Sequence, residues 1–397
     1  MIEQQLAQAL QERQQAGLMR QRRQLETAQG ASISVDGETL LGFASNDYLG
    51  LANHSSVVAA FTQAAKHYGV GSGASHLVNG HSREHHLLEE EIAAFTGRDR
   101  ALLFSTGYMA NFGTIMALLG QGDLVVEDKL NHASLLDGGL ACGAKFRRYL
   151  HNDVASLEKT LALPGQRKLV VTDGVFSMDG DIAPLKEVVQ SCRKNNAWLM
   201  VDDAHGIGVL GATGAGSLQY FGLSQQDVPI LMGTLGKAAG GFGAFIAGSD
   251  VLIETLTQFA RPYIYTTATP PAVAAANRAA LEIIQHDSTR REHLAQLIAM
   301  FRAGAASLGV QLMDSFTAIQ PVLLGSAQRT LSVAGTLQKQ GILVGAIRPP
   351  TVPNGSARLR ITLTANHSAE HIEQLLVALD FALKLHPATD LDNQGTA

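Results

Sequence analysis

The chain has 397 residues, of which 46% are hydrophobic and 16% are charged, and its formal net charge at pH 7 is −5. This length suits a large domain with a smaller one beside it. The weakly acidic balance argues against nucleic acid as a partner, and no apolar run reaches the ~20 residues of a membrane-spanning helix. Cys142 and Cys192 are isolated cysteines, which favours reduced thiols in a cytoplasmic protein over a zinc site or a disulfide.

The N-terminal segment lacks the apolar stretch of a secretory signal. Its apolar residues recur at roughly helical spacing, and they are Ile2, Leu6, Ala9, Leu10, Leu18 and Met19. This pattern predicts a surface helix that packs on the body of the protein or on a partner.

Between residues 100 and 250, apolar runs alternate with amphipathic segments. The apolar runs predict buried strands at 101–104, 123–128, 168–176, 198–205, 229–234 and 242–248. The segments between them predict helices at 108–120, 134–144, 154–163 and 184–197. This alternation is typical of an α/β domain with a largely parallel sheet that is covered on both faces.

Two long helical stretches follow, and the remaining chain has the pattern β-α-β-β-α. We therefore expect an α/β large domain with a smaller C-terminal α+β domain. The expected parts are a helical and strand segment over 1–45, the large domain over 46–285, the small domain over 286–387 and a disordered tail over 388–397.

Lys237 is the one charged residue in GTLGKAAGGFGAF (233–245), a glycine-rich bend between two predicted strands. A buried amine is costly unless it has a task, and burial lowers its pKa so that it becomes a nucleophile. Such a lysine is typical of enzymes that attach pyridoxal 5'-phosphate (PLP) through a Schiff base.

Residues at the ends of other predicted strands meet further needs of PLP. Asp202 could keep the pyridine nitrogen protonated, and His205 could donate to the phenolic oxygen. Ligands of parallel sheets gather at the carboxyl ends of the strands, so we expect Ser177, Asp202, His205 and Lys237 to lie close together.

A phosphate group is best bound by a helix N-terminus with hydroxyl groups beside it. The segment STGYMAN (105–111) follows a predicted strand and opens a helix, so it offers Thr106 and the amides of Gly107 and Tyr108. Thr234, three residues before the lysine, adds another hydroxyl.

Three shorter patterns suggest other ligands. HGIGVLG (205–211) contains a G-x-G-x-x-G, but no helix-forming segment follows, so an NAD-dependent oxidoreductase is the weaker hypothesis. GTLGKA lacks the first glycine of a phosphate-binding loop, where Leu231 stands, and Ala238 replaces its Ser or Thr. HSREHHLLEEE (81–91) could supply metal ligands, but a solvated helix face is the favoured interpretation and we expect no metal.

Several segments resemble those of the α-oxoamine synthases, PLP enzymes of fold type I that condense an amino acid with an acyl thioester and lose CO2. They are FASNDYLGL (43–51), GSGAS (71–75), FSTGYMAN (104–111), NHASLLDG (131–138), DGVFSMDGDIAPL (173–185), VDDAHGIGVLG (201–211) and GTLGKA (233–238). The resemblance covers about residues 6 to 385 and implies a homodimeric PLP-dependent acyltransferase. Ala74 and the AAGG after Lys237 depart from the family pattern.

The resemblance also implies roles for the candidate residues around the cofactor. Lys237 would hold PLP and then take the substrate's Cα proton, while His132 would stack on the ring and contact the substrate. Asp202 would bind the ring nitrogen, and Ser177 with His205 the phenolic oxygen. The ring and phosphate would be served by Gly107, Tyr108 and Thr234, with Thr266 or Thr267 reaching the phosphate of a partner chain.

A substrate carboxylate needs a paired cation, and the strand ARLRITLTA (357–365) offers two arginines on one face. The alternation of the strand does not decide whether Arg358 or Arg360 binds the carboxylate, and the family pattern favours Arg360. The resemblance further places Arg20, Asn46 and Thr351 in the substrate pocket.

Within this family, GYMAN and DDAHG resemble the members that join L-alanine to a pimeloyl thioester. The implied partners are therefore L-alanine and either pimeloyl-CoA or the pimeloyl carrier protein. Alternatives are a family member that uses glycine or serine, such as a glycine acetyltransferase or a serine palmitoyltransferase, and a PLP aminotransferase or lyase.

Overall fold

The computed structural model describes residues 2–15 and 18–388. The strands are β1 (Ser32–Val35), β2 (Glu38–Phe43), β3 (Arg100–Phe104), β4 (Leu124–Asp128), β5 (Lys145–Tyr149), β6 (Lys168–Asp173), β7 (Trp198–Asp202), β8 (Ile230–Thr234), β9 (Ala244–Gly248), β10 (Ile319–Gly325), β11 (Ile342–Ile347) and β12 (Ala357–Thr362). From residue 389 onward, the predicted disordered tail lies outside the described residues.

The helices lie between these strands and at both ends of the described chain. They are α1 (Ile2–Gln15), α2 (Ser55–Tyr68), α3 (Arg83–Thr96), α4 (Gly107–Leu118), α5 (Ala133–Ala141), α6 (Val154–Leu161), α7 (Leu185–Lys194), α8 (Ser217–Phe221), α9 (Asp250–Phe259), α10 (Arg261–Ile264), α11 (Pro271–His286), α12 (Thr289–Ser307), α13 (Ala327–Lys339) and α14 (Ala369–Leu385). A π-helical turn spans His76–Gly80. None of the helices within the described ranges combines the length and the apolarity that crossing a membrane requires.

The larger sheet has seven strands in the order β3-β9-β8-β7-β6-β4-β5. The strands β8, β7, β6, β4 and β5 run parallel to one another. Strand β9 is antiparallel to both of its neighbours, β3 and β8. The predicted largely parallel sheet is therefore confirmed. Strand β5 was not predicted, because this edge strand reads KFRRY and exposes most of its side chains, so it has no apolar run.

Helices cover both faces of the larger sheet, which explains why its central strands are apolar at successive positions. One face buries Val125, Leu169, Met200 and Ile246. The opposite face buries Val126, Val170, Val201 and Ala247. Each strand thus contributes alternate side chains to two separate cores.

The smaller sheet has the order β1-β2-β11-β12-β10 and joins the two ends of the chain. The predicted β-α-β-β-α pattern is present as β10, α13, β11, β12 and α14. Strand β2 pairs in parallel with β11, with Leu41 opposite Ile342, and this pairing was not predicted. We propose domain boundaries near residues 45, 285 and 387, with β1 and β2 contributing to the sheet of the C-terminal part.

Helix α1 buries none of its residues within the chain. Ile2, Leu6 and Leu10 all remain more than half exposed. The predicted packing of this helix on the body of the protein is therefore wrong, and packing on a partner stays a prediction.

The loop between β6 and α7 contacts the C-terminal part of the chain. The carbonyl oxygen of Gly180 accepts hydrogen bonds from Ser315 Oγ at 2.8 Å and from Thr317 Oγ1 at 3.0 Å. Gly180 has φ of 72°, and a Cβ atom there would lie 2.4 Å from the carbonyl oxygen of Ile319, so only glycine fits. The loop thereby contacts the start of β10, which pairs with β12, the strand that carries Arg358 and Arg360.

Candidate active site

Lys237 lies in a tight loop between β8 and β9. Hydrogen bonds from Gly241 N to Leu235 O, 2.9 Å, and from Gly240 N to Lys237 O, 2.8 Å, fix the loop. The side chain as a whole is half-buried, but its Nζ points inward and lies 3.0 Å from Nε2 of His205. Burial lowers the pKa of Lys237 to about 8, against the opposing charges of Asp202 and Asp173. A fraction of this amine is therefore neutral, and nucleophilic, near neutral pH.

His205 connects the lysine to a buried phenol. Its Nδ1 lies 2.6 Å from the hydroxyl of Tyr48, which is 1% exposed. Burial, together with the charges of Lys237 and Arg360, holds the pKa of His205 well below its usual range, so the imidazole is neutral. Burial also raises the pKa of Tyr48 to about 12. Tyr48 was not predicted as a site residue, although it lies in FASNDYLGL, two residues after the predicted Asn46.

Asp202 ends β7 with its carboxylate held by two donors. Its Oδ2 accepts a hydrogen bond from Asn111 Nδ2 at 2.6 Å, and its Oδ1 accepts one from Ala204 N at 3.0 Å. Asn111 Nδ2 also donates to Ser134 Oγ at 2.9 Å, and that hydroxyl lies 2.8 Å from Nδ1 of His132. A chain of hydrogen bonds therefore runs from Asp202 to His132, through two residues that the sequence analysis did not identify.

His132 caps the N-terminus of α5, and its backbone N–H donates to Asp173 Oδ2 at 2.7 Å. Burial lowers the pKa of His132, although the Asp202 carboxylate opposes the shift. Asp173 ends β6 as Asp202 ends β7, and burial beside Asp202 raises its pKa. The same strand-end rule that indicated Asp202 could have indicated Asp173.

The predicted phosphate-binding segment has the expected position at the start of α4. Thr106 is the cap residue and accepts a hydrogen bond from Met109 N at 3.2 Å. A Cβ atom on Gly107 would lie 2.7 Å from Cε of Met232, so the start of the helix packs too closely against β8 for a larger residue to fit without a shift of Met232. Tyr108 is partly exposed and donates its hydroxyl to Asp137. The amides of Gly107 and Tyr108, at the first two positions of the helix, have no carbonyl acceptor one turn earlier and are suited to an anion.

The threonines have local contacts in this structure. Thr234 donates to Gly243 O at 3.0 Å and accepts from Gly236 N at 3.2 Å, so its hydroxyl stabilises the lysine loop. Thr267 forms a β-bridge with Ser75, which places the segment of Thr266 and Thr267 beside GSGAS (71–75).

Arg360 and Arg358 have different partners. Arg360 donates to Ser177 O at 2.7 Å, to Thr362 Oγ1 at 3.0 Å and to Asn46 Oδ1 at 3.1 Å. Arg358 forms an ion pair with Asp179 and is 5% exposed, so it is not a solvated neighbour. Of the two arginines that the strand pattern left open, Arg360 alone lacks a carboxylate partner among the described residues.

A cavity of about 880 Å³ opens beside these residues. It brings together four predicted site residues, Arg20, His132, Ser177 and Thr351. Asn46 is not among the lining residues, but its Oδ1 accepts a hydrogen bond from Arg360.

His151 also lines this cavity and was missed by the sequence analysis. Its Nδ1 lies 2.9 Å from Asp128 Oδ1, and its Nε2 lies 2.8 Å from Asp181 Oδ2. Burial opposes its charged form, but the hydrogen bonds with the two carboxylates raise the pKa of His151 to about 9. His151 thereby ties the end of β4 to the loop that carries Ser177.

We expect His151→Asn to lower the free energy of unfolding by about 2 kcal/mol at pH 6, because two charge-assisted hydrogen bonds are lost. The folded-state pKa is raised above the ordinary 6.5, so this stabilisation is complete below about pH 6.5 and is lost as the pH rises through about 9. The difference in the free energy of unfolding between the parent and the variant, measured by urea unfolding, should be smaller at pH 10 than at pH 6. The substitution His286→Asn, at an exposed histidine, serves as the control. If His151→Asn lowered the free energy of unfolding equally at both pH values, the charged state assigned to His151 would be contradicted.

The remaining histidine and glycine patterns have structural explanations. His85, expected on a solvated face, is buried, so that prediction is wrong for it, whereas the side chains of His86 and Glu90 are each 63% exposed. The Nδ1 of His85 accepts from Ser82 N at 3.0 Å, and its Nε2 donates to Thr269 O at 2.8 Å. Of the glycines after His205, Gly206 packs against the buried Asp203, because a Cβ there would lie 2.1 Å from Asp203 Oδ1. Gly208 and Gly211 instead pack against Ala238 and Gln219.

Residues 38–379 match the model of the aminotransferase class I and II family. The chain belongs to this family, whose structural neighbours are fold-type-I PLP enzymes. It is 63% identical over 379 residues to a protein of Cellvibrio japonicus (strain Ueda107) named 8-amino-7-oxononanoate synthase, covering 95% of each chain. A protein of Stutzerimonas stutzeri (strain A1501) with the same name is 60% identical and is covered over 97% of its length, with 96% of this chain.

The fold also matches solved PLP enzymes. A serine palmitoyltransferase from S. paucimobilis, solved with bound PLP–myriocin, superimposes with a TM-score of 0.91 at 31% identity, covering 96% of this chain and 97% of the other. The expected fold class and cofactor are confirmed. The side chains present fit PLP, because an amine of lowered pKa, a buried carboxylate and a helix N-terminus occur in one site.

Proposed function

We propose that the protein condenses L-alanine with a pimeloyl thioester, releasing CO2 and the thiol, to form 8-amino-7-oxononanoate for biotin biosynthesis. The observation that carries this proposal is the 63% identity over 95% of the chain to a synthase of that name. The proposed reaction forms one C–C bond between the alanine Cα and the acyl carbonyl carbon. It breaks the C–S bond of the thioester and the bond to the alanine carboxylate.

Bound PLP supplies an electron sink that makes the Cα proton of an amino acid acidic enough to remove. We propose that Lys237 holds the cofactor and then accepts this proton at Nζ. Its lowered pKa, close to 8, supports the role, because a base is most effective when its pKa lies near the working pH. Asp202 would bind the pyridine nitrogen, with Asn111 orienting the carboxylate.

The neutral side chains around the cofactor position would act as hydrogen-bond donors or stacking partners. His205, kept neutral between Tyr48 and Lys237, would contact the phenolic oxygen together with Ser177. His132 would stack on the ring and contact the substrate, and its position at the cavity wall supports this. Gly107, Tyr108 and Thr234 would serve the ring and the phosphate.

Arg360 would bind the carboxylate of alanine, with Asn46 and Ser177 holding the guanidinium in place.

We expect Arg360→Lys to raise KM for L-alanine about 10-fold to 100-fold, because lysine cannot form the bidentate contact. Steady-state kinetics with varied L-alanine at a fixed acyl thioester would measure the change. An unchanged KM with a large loss of kcat would contradict a binding role. Arg329→Lys, whose guanidinium bonds backbone carbonyls in the C-terminal part, is the matched control.

Further parts of the proposal concern the surroundings of the site. Arg20 and Thr351 would contact the acyl donor, since both line the cavity. A homodimer would bring Thr266 or Thr267 of one chain to the PLP phosphate of the other. Two buried free cysteines support a location in the cytoplasm.

Product analysis by mass spectrometry tests the proposed reaction. The purified PLP-loaded protein would be incubated with L-alanine, glycine or L-serine, each with pimeloyl-CoA, acetyl-CoA or palmitoyl-CoA. We expect 8-amino-7-oxononanoate from L-alanine and pimeloyl-CoA. A ketone from serine and palmitoyl-CoA alone would instead favour the second candidate, a serine palmitoyltransferase, which the structural match supports.

A further inference from the structure

The cavity beside His132 has a lining suited to an alkyl chain. Between the predicted site residues, its wall is formed by apolar side chains that include Leu136, Phe176, Met178 and Val352. Binding pockets of this kind combine an apolar wall with a few polar groups that fix the orientation of the ligand. The polar groups of this wall are therefore the ones that can orient an acyl chain in it.

Four cationic side chains line the cavity, and two of them are already neutralised. His151 lies between Asp128 and Asp181, and Arg358 pairs with Asp179. The other two, Arg20 and Lys129, form no ion pair within residues 2–15 and 18–388. Arg20 and Lys129 therefore offer an anionic ligand positive charge that no ion pair occupies, in a lining that also includes the carboxylate of Asp314.

Lys129 has the better-fixed position of the two. Its backbone N–H donates to Tyr149 O at 3.0 Å, and its carbonyl oxygen accepts from Arg148 Nη2 at 2.7 Å. It lies three residues before His132 in the turn from β4 to α5, so the two Cα atoms are at most about 11 Å apart. The six C–C bonds of a pimeloyl chain reach on the order of 8 Å. Both residues line the cavity, so an acyl group of this length can lie between His132 and Lys129.

We propose that Lys129 binds the terminal carboxylate of the acyl group and so selects thioesters derived from a dicarboxylic acid. This inference rests on the proposed function. A dicarboxylic acyl chain would lie along the apolar wall with its thioester near His132 and its free carboxylate at Lys129. A monocarboxylic chain of equal length leaves the ammonium unpaired.

Steady-state kinetics of the PLP-loaded enzyme tests the proposal with two acyl donors, pimeloyl-CoA and heptanoyl-CoA, which differ only at the far end of the chain. We expect Lys129→Ala to lower kcat/KM for pimeloyl-CoA about 10-fold to 100-fold, mainly through KM, and to leave heptanoyl-CoA within about two-fold. Lys129→Arg should retain the preference. Lys145→Ala, a lysine on the neighbouring strand β5 outside the cavity, is the matched control.

Inhibition by free dicarboxylate gives a second measurement that needs no turnover. Pimelate should inhibit the parent more strongly than heptanoate does, and Lys129→Ala should remove that difference. If Lys129→Ala lowered kcat/KM equally for both CoA esters, Lys129 would contact the CoA moiety or support the fold, and the proposal would be overturned. An unchanged kcat/KM for pimeloyl-CoA would overturn it as well. A parent enzyme that turns over neither ester with L-alanine would refute the proposed function itself, and this inference with it.

Discussion

Lys237→Ala is expected to lower kcat by about 10³-fold or more, because the same amine attaches the cofactor and accepts the substrate proton. The variant should also fail to bind PLP covalently. Borohydride reduction followed by peptide mass spectrometry should add the mass of reduced PLP to the peptide with residue 237 in the parent only. Absorption above 400 nm, typical of the attached cofactor, should be weak in the variant.

Two further variants separate loss of the amine from loss of the fold. Lys237→Arg keeps a positive charge but cannot become a neutral nucleophile, so it should be as inactive as the alanine variant. Lys66→Ala removes an exposed lysine on α2 and should leave both activity and labelling unchanged. Covalent PLP on a peptide without residue 237 would contradict the assignment.

Asp202→Asn is expected to lower kcat about 10²-fold to 10³-fold while PLP remains attached to Lys237. The change keeps the size of the side chain and removes the negative charge that would stabilise a protonated ring nitrogen. The asparagine would also place an amide beside the Nδ2 donor of Asn111, which now lies 2.6 Å from the carboxylate. Cofactor content from the borohydride experiment and kcat from product formation would be measured on the same preparation.

The surface variant Asp99→Asn provides the control for the Asp202 experiment. Loss of PLP content in proportion to loss of activity would point to a structural role of Asp202. Full activity with bound cofactor would contradict its contact with the ring.

The sequence predicted those site residues that follow an apolar strand. Asp202 ends β7, and Lys237 follows the end of β8 by three residues. The strands themselves could be predicted because both of their faces are buried. The alternation in β12 likewise placed Arg358 and Arg360 on one face. Its sequence could not show that Arg358 is neutralised by Asp179, which lies on a loop far away in the chain.

Contacts between distant segments could not be predicted from local pattern. Tyr48 reaches His205 across 157 positions of sequence, and Asn111 reaches Asp202 across 91. A tyrosine or an asparagine in its own segment has many possible partners, and only the folded chain selects one. Strand β5 was missed for a different reason, because an edge strand with exposed arginines has no apolar periodicity.

The pairing of β2 with β11 has a consequence for how the protein is made. Leu41 leaves the ribosome roughly 300 residues before Ile342, the residue opposite it, which at 5–20 residues per second is a delay of about 15 to 60 s. During translation the edge of β2 that pairs with β11 is therefore unpaired, and Asn46, just beyond β2, lacks its hydrogen-bond donor Arg360. A nascent chain stopped before residue 340 contains the lysine and the carboxylate for the cofactor but has no arginine to receive the amino acid.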